Sequence, residues 1–181
     1  MEYILEIKTE RLLIRPVIAN DAYEIYDYRS DVTTNKYQGW IPNSIDQVHY
    51  FVNNTASQIN TFGTWFMFVI VDKETDHVIG DVGVCFLDVE SLQAKIGYTL
   101  CKYYQGVGLA TEAVSAVIDF LFKKLKKRRL ICTIDPKNKK SIRLVQRLGF
   151  KLEENCTEKL LVDEDWPDDL IYTLVKREWV Y

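Results

Sequence analysis

The spacing of apolar residues predicts a long helix in the second half of the chain. Between residues 109 and about 125, apolar side chains recur every three or four positions, the period of an amphipathic helix. The apolar face consists of Ala110, Ala113, Val114, Val117, Ile118, Leu121, Phe122 and Leu125. This segment therefore presents one continuous apolar stripe to a core.

A different pattern precedes this helix. Residues 65–72 form a dense aromatic and β-branched run, which is typical of a buried strand. A polar turn at residues 73–76 separates it from a second strand over residues 77–88, and residues 93–102 follow as the third strand of a meander. The other predicted elements are strands over residues 4–17, 130–134, 151–162 and 170–179, and helices over residues 20–30, 44–59 and 139–148, the last with Gly149 as its C-cap.

These elements fit one domain. The 181 residues contain no long linker, repeat or low-complexity tract, so we predict a single α/β (α+β) domain over residues 1–181. We expect a mixed, mostly antiparallel sheet flanked by about four helices. The longest apolar run, residues 65–71, is too short to span a bilayer, and the N-terminus carries no basic n-region. We therefore expect a cytoplasmic protein that has no membrane partner.

Cysteines and basic residues narrow the function further. The cysteines Cys85, Cys101, Cys132 and Cys156 are widely spaced and lie near neither histidine, so we expect reduced thiols and no metal site. Six of the seven residues at 123–129 are cationic. This run allows a nucleic-acid patch but suits a solvated helix C-terminus better. With a formal net charge of −3, we expect no nucleic-acid partner.

The strongest chemical signal is a glycine loop between the third meander strand and the long helix. Gly106 and Gly108 leave backbone N–H groups bare at a helix N-terminus, where an anion can approach closely. A dinucleotide fingerprint needs a third glycine, but Ala110 stands there, and the Lys-Ser/Thr of a P-loop is missing. The loop alone is compatible with a phosphate cradle or with an ordinary strand-to-helix turn.

Several motifs in order resemble the GCN5-related N-acetyltransferase (GNAT) superfamily, and are most similar to its RimJ/RimL-like branch, which acetylates ribosomal-protein N-termini. The motif core spans about residues 65–150, and the resemblance extends over nearly the whole chain. It implies a GNAT fold, acetyl-CoA as cosubstrate, and acetyl transfer to a primary amine. The matching segments are Thr9-Glu10-Arg11-Leu12-Leu13-Ile14-Arg15-Pro16, Ile96-Gly97-Tyr98, Gln105-x-x-Gly108-x-Ala110, Asn138-Lys139-Lys140-Ser141-Ile142, Leu148-Gly149-Phe150, Trp166-Pro167-Asp168 and Glu178-Trp179.

The resemblance also implies a donor site. Main-chain contacts to the pantetheine arm would fall on Tyr98 and Leu100, and the N–H near Tyr98 would stabilise the oxyanion. Asn138 and Ser141 would line the other side of the arm, near the sulfur. The CoA pyrophosphate would be held by the backbone N–H groups of the cofactor-binding segment, which is Gln105, Gly106, Val107, Gly108, Leu109 and Ala110.

Two positions depart from the family pattern and leave the proton transfers open. Val145 stands where many members have a tyrosine acid, although a thiolate whose thiol pKa is about 8.5 leaves with little help and Ser141 could donate a hydrogen bond. Lys95 stands where the related branch often has a glutamate, and a cation is a poor proton acceptor. The base would then be Asp81 on the preceding strand, Asp168 in the last hairpin, or solvent.

The acceptor side carries weaker signals. Trp40 lies in a connection that in relatives walls the acceptor cleft, while Trp166 and Asp168 lie in the acidic segment 163–169. That segment is either a polar hairpin turn or an electrostatic collar for a cationic acceptor. A protein N-terminal α-amine and a small amine both stay open as substrates. The alternative function is a CoA-binding sensor or scaffold, and the resemblance is compatible with a homodimer.

Overall fold

The computed structural model describes residues 5–88, 90, 92–153 and 168–180. Within these ranges the chain forms one eight-stranded sheet and five α-helices. The strands are β1 (Ile7–Lys8), β2 (Leu12–Pro16), β3 (Trp65–Asp72), β4 (Val78–Phe86), β5 (Gln93–Leu100), β6 (Arg129–Ile134), β7 (Lys151–Leu152) and β8 (Leu170–Val175). The helices are α1 (Ala22–Arg29), α2 (Val32–Asn35), α3 (Ile45–Asn54), α4 (Leu109–Lys123) and α5 (Lys139–Arg147).

The strands lie side by side in the order β1-β2-β3-β4-β5-β6-β8-β7. Neighbouring strands are antiparallel except β5 and β6, which run parallel. The prediction of a mixed, mostly antiparallel sheet is confirmed, and the single turn of α2 adds to the four predicted helices. In the part of the chain that the structure describes, no helix combines the length and apolarity needed to cross a membrane.

The two faces of the sheet carry separate apolar cores. Successive residues of a strand point to opposite faces, so Phe66 and Phe68 of β3 pack on one face in the cluster that includes α4. Val69 and Val71 pack on the other face, with residues of α1 and α3. On this second face α1 and α3 cover one end of β3, whereas Trp65 at the other end is 44% exposed. The sheet is therefore left partly open there.

The first predicted strand, residues 4–17, is wrong as a single element. It is two short antiparallel strands, with Ile7 paired to Ile14 and Lys8 to Leu13. The chain reverses because the N–H of Thr9 donates to the Leu12 carbonyl, and the Thr9 hydroxyl accepts from the Leu12 N–H at 3.0 Å. A polar side chain that bonds to nearby backbone competes with a continuous strand.

Other element ends shift by a few residues. The helix predicted to reach residue 59 ends at Asn54, because Thr55 is extended at ψ 145° and its N–H turns back to Val52. At its other end, Ser44 caps this helix by accepting from the Gln47 N–H, and the Gln47 side chain accepts from the N–H of Asn43. Of the strand predicted over residues 151–162, β7 is the observed part, and residues 154–162 lie outside the described ranges.

The basic run at residues 123–129 is not simply a solvated helix end. Lys127 is fully buried, with its ammonium against Asn60 and 4.7 Å from the centre of the Phe86 ring. Burial lowers the pKa of Lys127. Arg129 forms an ion pair with Glu153 at 2.7 Å. Because two of its six cations are used inside the fold, this run is a weaker candidate for a nucleic-acid surface than its sequence indicates.

Candidate active site

A wedge-shaped gap opens between the two parallel strands. β5 and β6 pair over three residues each, Gln93–Lys95 of β5 against residues 129–131 of β6. Beyond this point β5 continues for five residues along β4, while β6 continues along β8. The two strands therefore diverge, and the edge of β5 that faces β6 is left without a strand partner in the described sheet.

The register shows which main-chain groups face this gap. The N–H of Cys101 donates to the Ile79 carbonyl at 2.8 Å, so odd-numbered residues of β5 bond to β4 and even-numbered ones point the other way. The main-chain N–H and carbonyl groups of Tyr98 and Leu100 therefore point into the gap. Their carbonyls accept from side chains instead of a strand, at 3.2 Å from the Gln38 amide and 2.9 Å from the Gln105 amide. An extended ligand would find strand-like partners along this edge.

The glycine loop lies directly beyond the end of β5. Gly106 and Gly108 have φ of 87° and 91°, and Gly108 is the N-cap of α4 without a side-chain cap. In the part of the chain that the structure describes, no atom other than those of Gly106 and its chain neighbours lies within 4 Å of the position that a Cβ on Gly106 would occupy. Glycine is the residue that adopts this conformation without strain. The first turn of α4 therefore exposes backbone N–H groups to an anion at the mouth of the gap.

A brace from the β1–β2 turn holds this loop. Arg11 donates to the Val107 carbonyl at 3.0 Å and forms an ion pair with Glu112 at 2.7 Å. Glu112 also accepts from the Thr9 hydroxyl at 2.6 Å and from the Arg11 N–H at 2.9 Å. Burial alone would raise the pKa of Glu112, but the hydrogen bonds from Thr9 and Arg11 outweigh it and lower that pKa. Sequence reasoning missed the brace, because its members lie about 100 residues apart.

Helix α5 brings further groups to the loop. Lys140 donates to the Gln105 side chain at 3.1 Å, and Arg147 donates to the Thr111 hydroxyl at 3.1 Å. Both cations are exposed and stand beside the bare N-terminus of α4. Positive charges at a helix N-terminus suit a ligand that carries several phosphates.

The same helix closes one face of the gap. Asn138 caps α5 by accepting from the Ser141 N–H at 3.2 Å, and the Tyr98 hydroxyl donates to the Ser141 carbonyl at 3.3 Å. Burial raises the pKa of Tyr98 far above its ordinary value, so the phenol stays neutral. Val145 is fully buried in the core and offers no acid to the gap. The cofactor-side roles predicted for Asn138 and Ser141 stay predictions, and these contacts place both at the edge of the gap.

The other face of the gap is open. Gly97 is directly paired with Gly83, and among the described residues, apart from its chain neighbours, no atom lies within 4 Å of the position that a Cβ on Gly97 would occupy. A Cβ added to Gly83 would lie 3.2 Å from the Trp65 indole, which covers that strand. A molecule can therefore reach the backbone of Gly97 and Tyr98 from this face, which is also the face of α1 and α3.

Asp81 lies on this face, but its carboxylate oxygens already accept hydrogen bonds from Tyr28 and Arg29. Its Oδ2 accepts from the Tyr28 hydroxyl at 2.6 Å and from Arg29 Nε at 2.8 Å, and its Oδ1 accepts from Arg29 Nη2 at 2.6 Å. The side chain is 2% exposed. Both oxygens of this buried carboxylate therefore already accept hydrogen bonds from donors inside the fold. This geometry speaks against the base role predicted for Asp81, and Asp81 instead joins β4 to α1.

The three residues predicted for the acceptor side have different outcomes. Trp40 stacks on Phe51, with ring centroids 4.4 Å apart, and the Arg29 guanidinium lies 5.3 Å from its ring centre. It is half-buried, so it is both a core residue and part of a surface groove. Asp168 is exposed two residues before β8. Trp166 lies outside the described residues, and all three substrate roles stay predictions.

Comparison with known proteins agrees with this arrangement. The family model described as an acetyltransferase (GNAT) domain matches residues 11–151. The chain therefore belongs to the GNAT acetyltransferase family and is an N-acetyltransferase. The resemblance read from the sequence motifs is confirmed.

Individual relatives span nearly the whole chain. It is 33% identical over 172 residues to the N-acetyltransferase p20 of Bacillus licheniformis, covering 94% of this chain and 96% of the relative. It is 29% identical over 182 residues to the ribosomal protein uS5-alanine N-acetyltransferase of Escherichia coli, covering 97% and 93%. A solved GNAT acetyltransferase from Bacillus anthracis superimposes with a TM-score of 0.80 at 25% identity, covering 96% and 100%.

Proposed function

We propose that the protein transfers an acetyl group from acetyl-CoA to the α-amine of a polypeptide N-terminus. The observation that carries the donor assignment is the meeting of two features at one point. The unpaired edge of β5 leads directly to a glycine loop with bare N–H groups at the start of α4. An extended arm that ends in a diphosphate matches this combination, because one part needs strand-like partners and the other needs an anion site.

The residues present fit acetyl-CoA. Backbone N–H groups of residues 105–110 would hold the pyrophosphate, with Lys140 and Arg147 supplying charge nearby. The main chain of Tyr98 and Leu100 would bond to the pantetheine arm, and Asn138 and Ser141 would line its other side. Acetyl-CoA would supply the activated acyl group as a thioester. To bind the arm, the Gln38 and Gln105 amides would exchange their present carbonyl partners for the ligand or move aside.

The chemistry then rests on positioning. The N–H of Tyr98 would donate to the thioester oxygen as negative charge develops there, a role suited to a fixed backbone donor. The neutral amine would approach from the open face at Gly97 and attack the thioester carbon, and the carbon–sulfur bond would then break to release CoA as its thiolate. Lys95 carries the wrong charge for a base, and the Asp81 oxygens are occupied. We therefore assign the loss of the amine proton to solvent. Asp168, which is exposed, is the remaining carboxylate among the predicted bases.

The lack of an assigned carboxylate base favours an acceptor that is already neutral. An α-amine with a pKa of about 7.8 is about one-third neutral at pH 7.5, whereas a lysine amine with a pKa of about 10.4 is neutral in about one molecule per thousand. A protein N-terminus is therefore the better substrate. The Escherichia coli relative, a ribosomal protein uS5-alanine N-acetyltransferase, supports the same class of acceptor.

A second cavity, of about 480 Å³, does not favour a small cationic amine. It is lined by Glu24, Asp27 and Asp31 among others. However, Glu24 pairs with His77 at 2.7 Å and Asp31 pairs with Lys102 at 3.0 Å. Of the three carboxylates that the described residues bring to this cavity, two therefore already have cationic or titratable partners. Such a cavity offers less attraction to a polyamine than its composition indicates.

The test combines binding and turnover. Acetyl-CoA at a hundred times its dissociation constant should stabilise the fold by about 2.7 kcal/mol, seen as a higher melting temperature. Release of free thiol should then be measured with an alanine-initiated peptide, with the same peptide blocked at its N-terminus but carrying a lysine, and with spermidine. We expect turnover with the first. Stabilisation without thiol release from any of them would support a CoA-binding sensor instead, and no stabilisation would refute the donor assignment.

A further inference from the structure

An aromatic groove lies beside the open face of the gap. It has a volume of about 770 Å³, and its aromatic wall consists of Trp40, Tyr50, Phe51 and Trp65. Tyr50 is 72% exposed and Trp65 is 44% exposed. The groove runs between α3 and the start of β3. Exposed aromatic side chains grouped in one concave surface are typical of a binding site rather than of an ordinary surface.

The groove is continuous with the proposed point of acetyl transfer. Its Trp65 ring lies against Gly83, and Gly83 is directly paired with Gly97 on the next strand. Neighbouring strands are about 4.8 Å apart, so the indole lies within roughly 10 Å of the Gly97 backbone. An extended peptide advances about 3.3 Å per residue. A chain whose amine sits at Gly97 therefore reaches the ring with its second to fourth residue.

The lining of the groove indicates which side chain fits. Among the residues that the structure describes, the lining contains one carboxylate, Asp46, and no Lys or Arg. Two of its polar groups are engaged locally, since the Gln47 oxygen accepts from Asn43 and the Asn54 amide donates to the Tyr50 carbonyl. Trp40 is held flat against Phe51 with an interplanar angle of 22°. What the groove offers a partner is mainly preformed ring surface, which suits an uncharged apolar side chain.

We propose that this groove binds an apolar side chain at the second, third or fourth residue of the acceptor polypeptide and so selects among N-termini. This inference rests on the proposed function and adds a specificity site to it. The occupant is the acceptor rather than a second copy of the chain, because the groove leads directly to Gly83 and Gly97, where the amine would react. The apolar side chain and the free α-amine of one acceptor would thus bind to two connected surfaces.

The test compares peptides that differ at one position. Alanine-initiated peptides carry leucine, glycine or aspartate at the second, third or fourth residue, and kcat/KM is measured for each with saturating acetyl-CoA. At one of these positions leucine should exceed glycine by about tenfold or more, because a hydrophobic pocket discriminates an added apolar group by roughly that factor. Aspartate should be the poorest because of Asp46. Equal rates for leucine and glycine at all three positions would overturn the proposal.

Variants then locate the preference. Trp65→Ala and Tyr50→Ala should each reduce the leucine-to-glycine ratio several-fold, while Tyr23→Ala, which removes a similarly exposed tyrosine at 69% on α1, should leave it unchanged. A ratio does not depend on how much enzyme is folded, and Tyr50 is exposed enough to be replaced without unfolding. An unchanged ratio in both groove variants would refute the site. So would a change in oligomeric state on Tyr50→Ala in sedimentation, which would assign the groove to a contact between copies.

The two proposals fail in different ways. If wild-type protein releases no thiol with any amine although acetyl-CoA stabilises it, the proposed function is wrong. If it acetylates peptides without regard to their second to fourth residues, the function stands and the groove proposal is wrong.

Discussion

On the donor side of the site, the groups that face a ligand are mostly backbone: the edge of β5 and the N–H groups of the loop at Gly106 and Gly108. On the proposed acceptor side, the surface is formed mainly by the side chains of the aromatic groove, next to the backbone at Gly83 and Gly97. Backbone groups can recognise a cosubstrate that is the same in every reaction. Side chains can change from one protein to another without altering the sheet, so they suit an acceptor that varies.

The two sides are also held together differently. The donor loop is braced at the surface by hydrogen bonds among Thr9, Arg11 and Glu112. The acceptor face is anchored by the buried pair of Asp81 and Arg29, which joins β4 to α1. Buried and exposed pairs respond differently to substitution, because removal of one partner leaves the other charge without solvent only in the buried case. Four substitutions test this contrast, ordered by the size of the expected effect.

The largest effect is expected for Asp81→Asn on the acceptor side. It leaves the Arg29 guanidinium buried without a counter-charge, and breaking a buried pair lowers the free energy of unfolding by about 3–5 kcal/mol. Urea unfolding measures the change. Asp27→Asn, at an exposed carboxylate on the same helix as Arg29, should change it by about 0.5 kcal/mol or less. Unchanged stability together with the loss of one limb of the pH–rate profile would instead identify Asp81 as the base.

The next effect is expected for Gly108→Glu on the donor side. The new side chain must adopt φ near 91°, and its charge lies where the pyrophosphate would bind. The stabilisation by acetyl-CoA, about 2.7 kcal/mol at a hundredfold excess over the dissociation constant, should disappear. Gly63→Glu is the matched control, because Gly63 also has positive φ, at 72°, and free space around it but lies away from the loop. A melting-temperature shift retained in Gly108→Glu would contradict the donor site.

A smaller, pH-dependent effect is expected for Glu112→Gln. Loss of the charged brace should cost about 2 kcal/mol near neutral pH, the usual worth of hydrogen bonds to a charged group. The folded pKa of Glu112 is lowered, so its contribution is complete above the ordinary value of about 4.5 and is lost as the pH falls through the folded pKa. The stability difference between wild type and variant should therefore narrow in acid. Glu74→Gln, at an exposed carboxylate in the β3–β4 turn, is the control and should change the free energy of unfolding by about 0.5 kcal/mol or less.

The smallest effect is expected for Tyr98→Phe. The substitution removes the hydrogen bond to the Ser141 carbonyl but leaves the backbone N–H of residue 98 in place. Stability should fall by about 1 kcal/mol, and kcat should fall only a few-fold. Steady-state thiol release over a pH series measures the second quantity. A loss of about a hundredfold or more in kcat would show that the phenol itself acts as the acid, since general acid catalysis contributes on that scale.

The sequence predicted the meander and the long helix closely. The strand at residues 65–72 has its predicted limits, and α4 ends at Lys123, two residues before the predicted end. These elements show strong periodic patterns, and such patterns depend on neighbours only a few positions away. The strand over residues 4–17 failed because Thr9 turns the chain by bonding to local backbone, and the apolar pattern continues through that turn.

Within the site, the sequence predicted those parts that are encoded by short motifs. The loop at Gly106 and Gly108 and the cap at Asn138 are local, so their residues appear together in the sequence. Gln38 carries no such signal, because it meets the Tyr98 carbonyl from a connection 60 residues away. The sequence predicted only part of the aromatic groove. Trp40 was predicted on the acceptor side, whereas Trp65 looked like an ordinary strand residue until the fold placed its ring over Gly83.

By itself, the sequence determined most of the helices and strands, the position of the glycine loop at Gly106 and Gly108, and, through motif resemblance, the family to which the chain belongs. These properties follow from apolar periodicity and from glycine at positions that need positive φ, so they are encoded within short stretches. The tertiary structure decided that β5 and β6 diverge, that Asp81 is paired rather than free, and that an aromatic groove adjoins the open face. Those features depend on strand order and burial, which bring together residues distant in the chain.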